Sequence, residues 1–97
     1  MKFFNEQGQE VTRITFGRVR MGESAEINLF AKNDGRFPLI DVVFGVDNVD
    51  VEILNAPKNL RPGEQEAIRL KWTAKINSEY GLECRVSWKA DELRGEE

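Results

Sequence analysis

The sequence has no histidine, a single cysteine (Cys84), three prolines and no apolar run long enough to cross a bilayer. Each absence removes a class of chemistry. Without histidine there is no Ser-His-Asp or Cys-His catalysis, no His-ligated zinc and no side chain that ordinarily titrates near neutral pH. One cysteine cannot close an internal disulfide, a Cys₄ zinc site or a Cys-x-x-Cys redox pair. Ser24, Ser78 and Ser87 stand outside any nucleophile elbow, and "GRVRMG" carries no phosphate-loop or dinucleotide fingerprint. The chain is therefore expected to be non-enzymatic and to need no cofactor.

Charge argues against nucleic acid as a ligand. Fourteen basic and 17 acidic residues are spread along the chain for a net charge of −3. A nucleic-acid binder concentrates a basic excess on one face, so neither nucleic acid nor membrane is expected as a partner. The opening "MKFFNEQGQE" lacks the apolar stretch of a secretory signal, and the lone cysteine suits a reducing compartment. These features fit a chain complete from Met1 and made in a cytoplasm.

What the sequence does have is a period of two. "SAEINLFAK" alternates Ala25, Ile27, Leu29 and Ala31 with Glu26, Asn28, Phe30 and Lys32. "AIRLKWTA" alternates Ile68, Leu70 and Trp72 with Arg69, Lys71 and Thr73; "LECRVSWK" sets Leu82, Cys84, Val86 and Trp88 against Glu83, Arg85, Ser87 and Lys89. Successive strand side chains point to opposite faces, so each run reads as a half-buried antiparallel strand with its apolar set inward. "LIDVVFGV" reads as a more central strand with Ile40, Val42, Phe44 and Val46 on one face and Leu39, Val43 and Gly45 on the other; "VDVEIL" turns Val49, Val51 and Ile53 one way. "KFFN" and "VTRITF" read as two short strands or one broken edge strand.

Asn33-Asp34-Gly35 and Pro62-Gly63 supply turn chemistry, the second suiting a type II turn. No segment sustains a helical period. The expected fold is all-β, an immunoglobulin-like antiparallel β-sandwich of about seven strands, with a five-stranded barrel as the competing architecture. It forms one domain over residues 1–97, with 1–10 an N-terminal arm or edge strand and 90–97 a polar C-terminal tail.

Candidate sites follow from residues that such a core leaves unused. Cys84 reads as a small buried hydrophobe and not a reactive thiol. Asp47, Asp50 and Glu52 in "DNVDVE" are the one carboxylate group resembling a calcium site, although outward carboxylates on a strand are ordinarily solvated. Arg13, Arg18 and Arg20 are the one basic concentration: a grip on an acidic neighbour, or the wet side of the first long strand. Phe30 falls on a polar strand face and Phe37 in a loop, while Phe3 and Phe4 lie on the N-terminal arm; exposed aromatics of this kind suit a protein interface. A carbohydrate platform would need an exposed Trp, whereas Trp72 and Trp88 are both expected inside.

The phrases "FGRVRMGE" (Phe16, Gly17, Val19, Gly22, Glu23), "LFAKNDGRFPL" (Leu29, Asn33, Gly35, Pro38, Leu39), "LRPGE" (Leu60, Pro62, Gly63, Glu64) and "YG" (Tyr80, Gly81) form one pattern. Over residues 14–88 it resembles the immunoglobulin-like domains of the ASH and major-sperm-protein-like group, and it is similar to CARDB domains. Asp34 departs mildly from the Thr or Ser that family members often carry. The resemblance implies the fold, and it implies a setting. Single domains of this kind occur as small accessory proteins on tailed-phage virions, decorating capsids or sitting on tails and necks. By that likeness the partner would be a major capsid or tail protein, the location the virion, and a homo-oligomer within the assembly is open. Two alternatives accompany it: a cytoplasmic module that binds peptides along an edge strand, and a calcium- or carbohydrate-binding module.

Overall fold

A computed structural model describes residues 1–76 and 81–94. These form eight antiparallel strands and no helix: β1 (Lys2–Phe4), β2 (Glu10–Val11), β3 (Arg13–Phe16), β4 (Ser24–Lys32), β5 (Leu39–Val46), β6 (Val51–Asn55), β7 (Gln65–Thr73) and β8 (Leu82–Glu92). They make two sheets, one ordered β2-β1-β4-β7-β6 and the other β3-β8-β5. The chain is an all-β sandwich, not a barrel. Tyr80 of the expected Tyr-Gly turn, Ser78 and the last three tail residues lie outside the described residues.

The alternation places the core. Leu29 and Ala31 of β4, Ile68, Leu70 and Trp72 of β7, and Cys84 of β8 are buried with Ile14 and Phe16 of β3. Trp72 packs against Phe16 with ring centroids 5.8 Å apart. The expected strand "VTRITF" divides at Thr12, β2 joining one sheet and β3 the other. That sheet switch is how residues 10–16 serve both layers.

Four expectations are corrected. In β5 the register shifts between Ile40 and Val43, and Asp41 has a φ of 52°. This bulge reverses the parity, so Leu39 is buried and Ile40 is only half-buried. Val49 lies in the turn before β6 and is 95% exposed. Residues 90–92, read as tail, continue β8. Trp88 keeps its inward parity beside its cross-strand partner Phe44, yet it is 38% exposed.

One buried polar side chain holds two connections together. Asn33 donates through Nδ2 to the carbonyls of Phe37 (2.9 Å) and Leu60 (3.0 Å), and its Oδ1 accepts from Gly35 N (2.9 Å). Its own N–H donates to Glu64 O and its carbonyl accepts from Gly63 N (3.0 and 2.7 Å). The β4–β5 turn is thereby tied to the Pro62-Gly63 turn before β7. Gly63 has a φ of 81° and Glu64 N donates to Arg61 O, as a type II turn requires. Glu64 Oε1 also accepts from Arg61 N at 3.0 Å, so this carboxylate closes the turn as well as facing water.

The long axis of the molecule measures 53 Å against 24 and 16 Å across. No helix among the described residues is long and apolar enough to cross a membrane.

Candidate protein-interaction surface

β1 is positioned by a hairpin built around Asn5. Its Oδ1 accepts from Gln7 N and Gln9 N (3.0 and 2.9 Å), and Gly8, with a φ of 82°, lets the chain reverse. Beyond the hairpin strand, Glu6 Oε1 accepts from Asn28 N at 2.9 Å, satisfying a β4 amide that β1 does not reach. The Met1 amino group lies 2.7 Å from Asp34 Oδ1. Its hydrogen bond, more than its charge, holds that carboxyl below the usual range. The expected arm is thus a bonded part of the five-stranded sheet.

This placement separates the two N-terminal phenylalanines. Phe3 faces inward and meets Phe44 edge-on, with centroids 6.2 Å apart. Phe4 faces outward, directly opposite Phe30 of β4, which is itself opposite Ala67 of β7. Phe4 and Phe30 are half-buried and Ala67 is exposed. The row is bordered by the Lys2–Lys32 pair on one side and by Asn28 and Arg69 on the other. An aromatic pair with a charged border has the composition of an interface centre and its rim.

Phe37 does not join them. It sits in the β4–β5 connection, half-buried, with the Arg94 guanidinium 5.3 Å from its ring centroid. A cation over an aromatic face is a stable pairing in its own right, so this ring is engaged within the chain. The aromatic pair of this surface is Phe4–Phe30, which becomes visible only once β1 is registered on β4.

The basic and acidic candidates are dispersed among separate partners. Arg13 Nη1 lies 2.6 Å from Glu83 Oε1, whose hydrogen bond and charge raise the guanidinium pKa. Arg18 and Arg20 lie in the β3–β4 connection, where Arg20 O accepts from Glu23 N. Asp47 Oδ1 accepts from Arg85 N at 2.8 Å. Asp50 Oδ1 is screened from solvent and makes no directed hydrogen bond, but the Lys75 ammonium lies 2.9 Å away and balances its charge. Glu52 sits opposite Lys71. Among the described residues, no three His, Cys, Asp or Glu side chains converge on a possible metal position.

Cys84 is 4% exposed, and burial, assisted by the Asp47 carboxylate, pushes its thiol up to about 11. At pH 8 the folded protein is expected to react with an aromatic disulfide reagent at least ~100-fold more slowly than free cysteine, because only the thiolate attacks. Denaturant should restore the ordinary rate, and rapid labelling of folded protein would contradict the assignment. The sign for stability follows. The folded thiol holds its proton more tightly, so this contribution is complete below the unfolded thiol's ~8.5 and is lost as pH rises toward 11.

Fold and surface together define a class: a histidine-free all-β sandwich whose outward aromatics pair on one sheet face. The chain matches no protein-family model, no curated protein and no solved structure.

Proposed function

We propose that this chain is a non-enzymatic, immunoglobulin-like adhesion module, a structural accessory protein of a phage virion that docks on a major capsid or tail protein. The outward Phe4–Phe30 row carries the reading. Aromatic side chains at the centre of a charged border are what a protein partner buries. The "FGRVRMGE", "LFAKNDGRFPL" and "LRPGE" likeness supports the immunoglobulin-like type and the virion setting. The extent of surface supports a missing partner. The chain exposes 6780 Å², whereas a compact monomer of its mass exposes roughly 5,700 Å².

The test is co-sedimentation with intact particles, followed by mass-spectrometric copy counting. The wild-type protein should travel with particles at a copy number matching a capsid or tail symmetry. The double variant Phe4→Ser/Phe30→Ser should stay folded, melt a few degrees lower, and bind at least ~30-fold more weakly, as expected when two central aromatics are lost. A wild-type protein that never accompanies particles would sink the virion assignment. Undiminished binding by the double variant would move the interface elsewhere.

A further inference from the structure

The two outer faces of the sandwich carry opposite charge at the same end of the molecule. On the sheet β2-β1-β4-β7-β6, the row beside Phe4–Phe30 toward the β4–β5 connection sets Lys2 directly against Lys32. Like charges placed so repel each other. Among the described residues Lys32 has no ion-pair partner, and Lys2 has only Glu10 at 4.0 Å. The sheet β3-β8-β5 has the reverse pattern just across that connection. Val43 stands outward between the buried Val42 and Phe44, 56% exposed, with Lys89 as its cross-strand partner. The next row pairs Ile40 with the exposed Asp91, and Asp41 is exposed at the bulge beside it. Neither aspartate has an ion-pair partner among the described residues.

We propose that these two faces bind one another between copies, the aromatic row of one chain receiving Val43 of the next, with Asp41 and Asp91 over Lys2 and Lys32. This rests on the reading of the Phe4–Phe30 row as an interface and names a second copy as its occupant in the free protein. Charge selects that occupant. The same row of a second copy would bring cations onto cations in either orientation, because lysines flank it on one side and Arg69 on the other. Charge also selects the direction. With the β4–β5 ends of both copies aligned, each aspartate meets a lysine. Reversed, Asp91 would approach Arg69, which already has Glu26 at 3.7 Å. When β8 lies over β1 and β5 over β4, Lys89 comes near Phe4 and its cross-strand partner Glu10, a ring and a carboxylate that both suit an ammonium group.

The contact joins unlike faces, so it is heterologous and repeats from copy to copy without closing into a pair. It involves only the strands at one end of each sheet, so each step is weak and reversible. The row at the free end of such a stack stays open to a major structural protein.

Sedimentation equilibrium of the full chain across a wide concentration range tests it. The wild type should grow past the dimer as concentration rises. Asp91→Lys should weaken each step at least ~tenfold, and the double swap Lys32→Asp/Asp91→Lys should bring it back to within ~threefold. Asp91→Lys damages one face and Phe4→Ser/Phe30→Ser the other, so each should be monomeric where the wild type associates. Mixed in equal amounts, they should form a dimer that grows no further. Circular dichroism verifies that each variant is folded. A wild type that is monomeric at every concentration overturns the proposal, as does a closed dimer, indifference to Asp91→Lys, or a mixture that stays monomeric. Co-sedimentation with particles separates this from the virion reading. Asp91→Lys keeps the aromatic row and should still travel with particles. A monomeric wild type that travels with them removes the stacking alone, and one that stacks but never accompanies them supports the stacking and removes the virion setting.

Discussion

Gly81→Ala is expected to cost about 3–5 kcal/mol, the largest loss from any single added methyl group in this fold. Gly81 precedes β8 with a φ of 76°, a conformation that costs an L-residue roughly 1 kcal/mol or more. The greater cost is steric. A Cβ at this position would fall on the carbonyl oxygen of Phe16, with the Gly17 carbonyl carbon 3.2 Å away. Both obstacles are backbone, and Phe16 is fully buried and paired with Leu82, so neither can retreat without separating β3 from β8. For a domain of this length the melting temperature should fall by ~12–30 °C. Gly8→Ala is the internal control: its φ is 82° but open space surrounds the new methyl. That variant should lose only ~1 kcal/mol. Thermal melts of the two proteins separate strain from collision, and equal losses would show that the Phe16 contact is not as described.

Asn33 carries the second large effect. Removing its side chain in Asn33→Ala takes the amide from the Phe37 and Leu60 carbonyls and the acceptor from Gly35 N. Leu60 O keeps a bond from Leu39 N, whereas Phe37 O and Gly35 N lose their side-chain partner in a site of 2% exposure. The expected loss is about 2–4 kcal/mol in chemical denaturation. Asn33→Asp is nearly isosteric and should be worse at neutral pH, since a carboxylate oxygen would face two carbonyl oxygens. Its carboxyl would be protonated more readily in the folded state than in the unfolded chain. The gap to wild type should therefore shrink as pH falls toward the unfolded carboxyl's ~4 and widen as pH rises. A gap independent of pH would contradict the donor role of Nδ2.

The strands most legible in the sequence were those whose two faces differ in polarity. β4, β7 and the first half of β8 bury or half-bury the residues that alternation selects, because one face of each meets the opposite sheet. Legibility failed where burial depends on what lies across the gap. Nothing in "RVSWKA" says that Trp88 stays 38% exposed between the core-packed Val86 and Ala90, and nothing in "LIDVVFGV" says that Asp41 enters the left-handed region and inverts the parity of Leu39. The candidate surface was visible residue by residue but not as an arrangement. Phe4 and Phe30 are separated by 25 intervening residues, and only the β1–β4 register makes them neighbours. Asn33 appeared as turn punctuation, because its bonds to Leu60, Gly63 and Glu64 join segments about 30 residues apart that only the folded chain brings together.

The narrow body has a thermodynamic consequence. With a radius of gyration of 14.8 Å, against roughly 12.5 Å for a compact chain of this length, relatively little of it is far from water. Whatever binds the folded form alone then adds its own binding free energy to a modest intrinsic stability, in proportion to the logarithm of its concentration. If a partner docks on the folded chain as proposed, the melting temperature is lowest in dilution and rises with the concentration of that partner.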